Sequence, residues 1–364
     1  MRLSLGTVCS ILDESRQRQK LRVSLIAPGG SFSHGQEVTA INYCALAPTL
    51  KIGDWALLNM TALDLDLGTG GLAFVIPTEE MEQDLKQGHI MKLRYTPLQR
   101  EVLALDEQDS PYHAIMEQAH SLDGLPVVCC ALASQVPLVA AAIKTKQPQA
   151  RIVLCMTDEA SLMFAFSDSF QAARDTGLID EAISCGQALG GSLEAITLHS
   201  GLLAARHVLG ADACIVSIGP GTPGSATPYG HGGIAQGEAI NAVAALEGLP
   251  IAALRLSFAE TRKRHHGVSH HSIIALGRIC LARACIPVPG DLTPEQKAEV
   301  FKTLADAGLP ERHDIVELPP NASGFDLRGL KVTTMGRTQE DDPVFYSASF
   351  AAGMLAASII SQRS

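Results

Sequence analysis

The densest chemistry in this 364-residue chain lies in one ten-residue stretch, where Arg262, Lys263, Arg264, His265, His266, His270 and His271 fall together. Guanidinium and imidazole groups at this density suit phosphate or carboxylate, because both offer charge-assisted N–H donors to an oxyanion. Ser269 can cap a following helix and place His270 and His271 in its first turn, where free backbone N–H groups also favour an anion. Imidazole is a zinc ligand too, and His266 and His270 are four apart. Against a metal, adjacent histidines on a helix diverge by about 100°, and there is no H-E-x-x-H pattern. The expectation is therefore anion binding with no metal, the cofactor being left unassigned. His270 is the candidate acid/base.

A second candidate surface precedes it. Residues 219–237 read GPGTPGSATPYGHGGIAQG. Gly219, Gly221 and Gly224 formally match G-x-G-x-x-G. A dinucleotide loop, however, opens directly into a helix and is followed by an acidic residue ending the next strand. Here Pro223 and Pro228 intervene, a helix is expected only near Gly232, and the next apolar run ends in Arg255-Leu256-Ser257. The loop is read instead as a ligand cradle, with Gly219, Gly221, Gly232 and Gly233 allowing close backbone approach and Thr222 and Thr227 supplying hydroxyls. Ser257 and Arg337 are further ligand candidates at strand ends. Asp158 is either a helix cap or a catalytic acid, and Cys185 is either a buried thiol or a nucleophile.

The elements that must position these groups follow from apolar patterning. Apolar runs at residues 126–132, 151–157, 182–185, 213–219, 250–257, 314–318 and 331–335 alternate with stretches of helical period. In residues 194–210, Ala195, Leu198, Leu202, Ala205 and Leu209 recur at three- and four-residue spacing. Strands alternating with helices predict an α/β, Rossmann-like domain, a mostly parallel sheet with helices on both faces. Ligands in such sheets bind beyond the carboxyl ends of the strands.

The first hundred residues read differently. Short β-rich runs such as GTVCSIL, KLRVSLIA, QEVTAINY, DWALLNMT and GLAFVIP are separated by turn clusters at 28–30, 52–54 and 68–71. This spacing predicts a small antiparallel β-barrel, with HIMKLRY and REVLALD expected to complete it. The boundary falls in the polar segment around residues 107–111, giving a barrel domain over 1–106 and the α/β domain over 111–364.

Composition bounds the function. Hydrophobic residues at 46% and charged residues at 18% describe a folded globular chain. A net charge of −10 argues against nonspecific nucleic-acid binding, which depends on neutralising phosphates. Nine cysteines without a CxxC spacing point to buried free thiols in a reducing compartment. The longest mostly apolar run, residues 350–360, is too short to span a bilayer and is expected to be a buried terminal helix. A cytoplasmic protein without a membrane is expected, with a small anionic molecule as partner and room for a homo-oligomer. The competing reading is a non-catalytic regulatory module whose barrel contacts a protein or nucleic acid.

The segments MTDEASLMFAFS, ISCGQALGGSLEAITLHSGLLAARHVLGADACIVSIGPG, GGIAQGEAINAVAALEG, LRLSFAETRKRHHGVSHHS and TMGRTQEDDPVFYSASFAAG, with GDWALLNMTALDLDLGTGG upstream, resemble the bacterial DUF3866 family. The resemblance extends over nearly the whole chain. It implies a cytosolic bacterial protein and one shared architecture, and it carries no reaction with it. The loop GSATPYGHGG departs from the family's usual GTGT-type segment.

Overall fold

The computed structural model describes residues 2–29, 31–65, 71–78, 88–320 and 324–363. The turn clusters expected at 28–30 and 68–71 include Gly30, Gly68, Thr69 and Gly70, which lie outside the described residues. The chain divides into two compact units, residues 1–86 with 93–100, and residues 87–92 with 101–364.

The first unit is a closed five-stranded barrel of β1 (Leu3–Glu14), β2 (Arg18–Ala27), β3 (Glu37–Tyr43), β4 (Trp55–Asn59) and β5 (Leu72–Ile76), in the order β1-β2-β3-β5-β4. All pairs are antiparallel except β3 with β5. Alternation along β2 sends Leu21, Val23 and Leu25 inward against Val8, Val38, Ala40, Leu58 and Met60. The runs expected to complete the barrel do not join it. Their strand parts, Ile90–Lys92 and Arg100–Val102, are only three residues each and pair with one another as a separate ribbon. Five strands already close the barrel and leave no edge for them.

The second unit is built on an eight-stranded parallel sheet. Its strands are β6 (Pro126–Cys130), β7 (Ile152–Thr157), β8 (Glu181–Cys185), β9 (Leu193–Ala195), β10 (Ala213–Ile218), β11 (Leu249–Ala253), β12 (Cys285–Pro289) and β13 (Asp314–Leu318). Their order is β9-β8-β7-β10-β6-β11-β12-β13. Every residue of β6, β7 and β10 is buried, which is why these strands read as unbroken apolar runs.

Alternate residues serve opposite layers. Val127 and Cys129 face the layer of α3 (Leu198–His207), α4 (Ala235–Ala245) and α6 (Pro294–Asp306). Val128 and Cys130 face α1 (Val136–Lys146), α2 (Asp168–Asp175) and α7 (Pro343–Arg363). The one-turn helix α5 (His270–Ile274) runs into a π-turn, Ala275–Ile279, on the first of these layers.

Three expectations need correction. The run 250–257 is not one strand: it splits into β11 and the pair Leu256–Ser257, which forms a ribbon with Gly267–Val268 and leaves Leu254 and Arg255 between them. The run 331–335 is not a strand. Of its two apolar members Met335 is exposed, while Val332 is buried against Phe345, Tyr346 and Phe350 and its carbonyl accepts the Tyr346 hydroxyl. The structure also adds two strands: β9, which takes Leu193–Ala195 from the start of the segment expected to be helical and leaves the helix to begin at Leu198, and β12, which Pro287 and Pro289 argue against in sequence. β12 registers with β11 at a single pair, Ile251 with Cys285, so its prolines displace few ladder bonds.

The apolar segment at the C-terminus is the buried helix it was expected to be. Among the described residues α7 is the one helix long and apolar enough to cross a membrane, but it is a core helix packed on α1 and the sheet. Gly353 allows that packing. A Cβ there would meet the Val139 carbonyl and come within 2.6 Å of the Ala142 Cβ. Gly353→Val is therefore expected to lower stability by about 2–4 kcal/mol through overpacking, read as a lower denaturation midpoint.

Candidate functional site

Loops that follow β7, β10 and β11 come together at the carboxyl edge of the sheet. The Ser161 N–H after β7 donates to the Pro220 carbonyl after β10 at 3.1 Å, tying two of them together. The third loop is held from below. Gln135 accepts from the Ala131 and Leu132 N–H groups and donates to the Leu254 carbonyl at 2.9 Å. Gln236, in the first turn of α4, donates to the Cys129 and Ala253 carbonyls, each at 2.8 Å. These buried amides fix the ends of β6 and β11 beside the residue that follows, Arg255.

Arg255 is 7% exposed. Its carbonyl accepts from Ser269 N–H, its own N–H donates to Ser272 Oγ, and its guanidinium donates to His271 Nδ1 at 3.2 Å. Among the described residues no carboxylate pairs with it. Burial, followed by the charge of Arg262, pulls its pKa down to about 10, while the Glu260 carboxylate, beyond ion-pairing distance, opposes the shift.

Four histidines gather beside it. His231, from the glycine loop, stacks on His271 with centroids 3.8 Å apart and planes 5° apart. His270 lies edge-on to both, at 5.5 Å from His231 and 4.4 Å from His271. His265 lies 4.9 and 4.8 Å from His270 and His271. The bare Cα of Gly233 makes room, since a Cβ there would stand 3.1 Å from His231 Nδ1 and 3.2 Å from His271 Cβ. Ser269 caps α5 as expected, accepting from the His271 N–H, and its hydroxyl lies 2.7 Å from His265 Nδ1.

The cluster is held neutral. Burial, then the charge of Arg255, lowers the pKa of His265 to about 3. Burial, then His231 and Arg255, lowers that of His271 to about 2. His231 and His270 are lowered as well, with burial the main cause. His231 Nε2 donates to the Pro228 carbonyl at 3.1 Å, so its Nδ1 carries the lone pair. That Nδ1 and His270 Nε2 are both buried without a hydrogen-bond partner.

The other sequence candidates fall into separate groups. Ser257 donates to Asp342 at 2.7 Å, Arg337 bonds the same carboxylate at 3.0 Å, and Arg262 grips Glu260 with two bonds of 2.9 and 2.6 Å. Glu260 is held down to about 2 by those Arg262 bonds, so Arg262 and Arg337 are already neutralised. Arg264 is exposed above the cluster, and its charge reaches His265 and His270.

His266 is exposed and turns aside, edge-on to Phe258 at 5.3 Å with its Nδ1–H on the Glu260 carbonyl. Gly221 and Thr227 sit on the exposed part of the glycine loop and Thr222 at its half-buried base; Thr227 bonds within the loop to Gly230 N–H. Gly219 and Gly232 are buried at its two ends. Asp158 accepts from Gln187 N–H at 2.6 Å. Cys185 points into the core, where a Cβ on Gly201 would stand 2.5 Å from its sulfur.

Two central residues, Arg255 and His231, escaped the sequence reading. Arg255 lies inside an apolar run and was read as part of a strand. Its signal was the lone cation in IAALRLSF. His231 stood among glycines whose backbone drew the attention.

The chain is thus a barrel followed by a parallel α/β unit, with a buried arginine and four histidines gathered at the carboxyl ends of its strands, where ligands bind in open α/β sheets. The family described as "Protein of unknown function (DUF3866)" matches residues 39–353, and the chain belongs to it. No curated protein and no solved structure matches the chain.

Proposed function

We propose that the strand-end crevice binds a small anionic metabolite, with Arg255 as its counter-cation. One observation carries this: a buried guanidinium that, among the described residues, has no carboxylate within ion-pairing distance and is bonded to His271 at the strand ends. A buried charge is costly unless paired, and a ligand phosphate or carboxylate supplies the missing partner with bidentate geometry. The neutral imidazoles of His265 and His271 add N–H donors without competing positive charge. In the metal-free protein His270 is the acid/base candidate for any turnover, because its Nε2 is buried without a hydrogen-bond partner. A cytoplasmic protein suits such a ligand.

The test is a thermal-shift series with phosphate, phosphorylated metabolites, nucleotides and carboxylates on the full chain. A ligand at about 100 times its Kd is expected to stabilise by about 2.7 kcal/mol. Arg255→Met should abolish the shift, while Arg262→Met, whose cation already has Glu260, should keep most of it. Equal stabilisation of wild type and Arg255→Met overturns the reading.

A second reading, an interaction role for the barrel, rests on Trp55. This single tryptophan is 71% exposed beside a cavity of about 560 Å³ lined by Leu5, Leu50, Leu57, Val75 and Ile76. Thr49, Asp54 and Thr78 also line it, and an exposed tryptophan beside such a mixed polar and apolar hollow suits a partner surface. Its emission is the direct probe: a partner that docks here must blue-shift it, and one that binds without shifting it docks elsewhere.

A further inference from the structure

The three imidazoles of His231, His270 and His271 come from two separate loops, yet one nitrogen from each lies within 4.8 Å of the other two. A neutral imidazole has one N–H and one lone pair. At His231 the N–H is spent on the Pro228 carbonyl, leaving a buried lone pair at Nδ1 that nothing in the protein uses. This is the arrangement of a metal-ligating histidine, whose second nitrogen is commonly held by a backbone carbonyl. His270 Nε2 is a second buried nitrogen without a partner. Native structures leave few such atoms, and each calls for an explanation.

We propose that these three histidines form a binding site for a divalent transition metal of the zinc class, with the fourth coordination position open towards Arg255. Three imidazoles and an open position are the donor set of catalytic zinc rather than structural zinc, and imidazole suits zinc, copper, iron and nickel over magnesium or calcium. Tetrahedral bonds of 2.0–2.1 Å put ligand nitrogens roughly 3.3 Å apart, so the rings must draw together and His231 must tilt off His271 when the ion enters. The 100° divergence of neighbouring helix positions does not prevent this. Residues 270 and 271 sit at the very start of a five-residue helix, and their ring centroids already approach to 4.4 Å.

One consequence is forced by lone-pair counting. In the metal-free protein the lone pair of His271 accepts from Arg255. Whichever nitrogen of His271 binds the ion, that lone pair is consumed and the Arg255 N–H is released. Metal and Arg255 therefore compete for His271, and loading frees the guanidinium to face an anion at the open metal position. This half of the inference rests on the anion reading above; the metal half does not.

The experiment uses the full chain stripped with a chelator, then titrated with Co²⁺ while the visible d–d absorption is followed, and with Zn²⁺ against a chromophoric chelator. One equivalent should bind with the intense spectrum of a four-coordinate site. His231→Gln and His270→Gln, tested as separate folded variants, should each weaken binding by about a hundredfold, whereas His266→Gln should not. Arg255→Met should tighten it by about tenfold, because the competitor for His271 is gone. Absence of one-equivalent binding, or equal loss in His266→Gln and the ligand variants, overturns the metal site.

Phosphate stabilisation is then measured on chelated and Zn²⁺-loaded protein. A shift without metal binding leaves the anion reading standing and sinks this one. Metal binding without any anion shift does the reverse.

Discussion

Lys92→Met is expected to destabilise the α/β unit by about 3–5 kcal/mol, the cost of breaking a buried ion pair from one side. The Lys92 side chain is 1% exposed, and its ammonium uses all three donors: Ser184 O at 2.8 Å, Ala188 O at 2.6 Å and Glu194 Oε2 at 2.6 Å. The other Glu194 oxygen accepts from Gly190 N–H at 2.9 Å. Burial pushes the Glu194 pKa up, and Lys92 opposes that push. Methionine fills similar volume but strands a carboxylate and two carbonyls at the end of β8. Lys92→Met combined with Glu194→Gln should recover roughly half of the loss, since a neutral amide is cheaper to leave buried. Urea melts followed by circular dichroism give both numbers. A single variant within 1 kcal/mol of wild type would falsify this account of the cluster.

Mild acid is the second large lever. An unfolded histidine titrates near pH 6.5, whereas His265 and His271 in the folded chain stay neutral down to about 3 and about 2. Between those limits the unfolded chain holds protons the folded one refuses, so stability is complete above about pH 6.5 and falls as pH drops below it. Each of the two should cost about 2 kcal/mol between pH 7 and pH 5. Glu260 contributes with the same sign in a lower window: its folded pKa of about 2 lies below the usual 4.3, so its share is present above that value and lost on further acidification. At pH 5 the loss is therefore a histidine loss. Stability curves at pH 7.5, 6 and 5 should converge for His265→Gln and wild type as pH falls, and curves that stay parallel would sink the assignment.

The architecture was legible wherever burial on both faces leaves a simple trace. β6, β7 and β10 announce themselves as apolar runs, and the alternation of GTVCSIL and KLRVSLIA marks the barrel. β12 was hidden because Pro287 and Pro289 speak against a strand, and only its weak pairing with β11 makes them tolerable. Residues 331–335 misled for the opposite reason, an apolar residue serving a helix rather than a sheet. For the candidate site, the strand-end rule pointed at the loops that the structure brings together and Ser269 caps its helix as expected, whereas the rings of His270 and His271 do not diverge as helical spacing suggests but approach to 4.4 Å. What no local pattern encodes is convergence. His231 and His271 are forty residues apart, and their ring stacking depends on the order in which β10, β6 and β11 lie side by side. Arg262 shows the converse: a prominent cation in sequence, it is neutralised by Glu260 two residues away.

That strand order also shapes how the molecule is made. β6 occupies the middle of the sheet, yet its hydrogen-bonded neighbours are β10 and β11, neither of which is its successor in the chain. As synthesis proceeds, β6 waits unpaired until residues 213–218 emerge, and its second edge stays open until residues 249–253 follow. Such long-range closure makes for slow, late folding, with apolar strand edges exposed to chance pairing in the interval. The segment that closes the second edge of β6 is also the one that delivers Arg255 and then His271, so the candidate site comes together only once β11 has joined the sheet, with β12 and β13 still to follow. A nascent chain stopped before Leu249 has most of the strands but, of the central site residues, only His231.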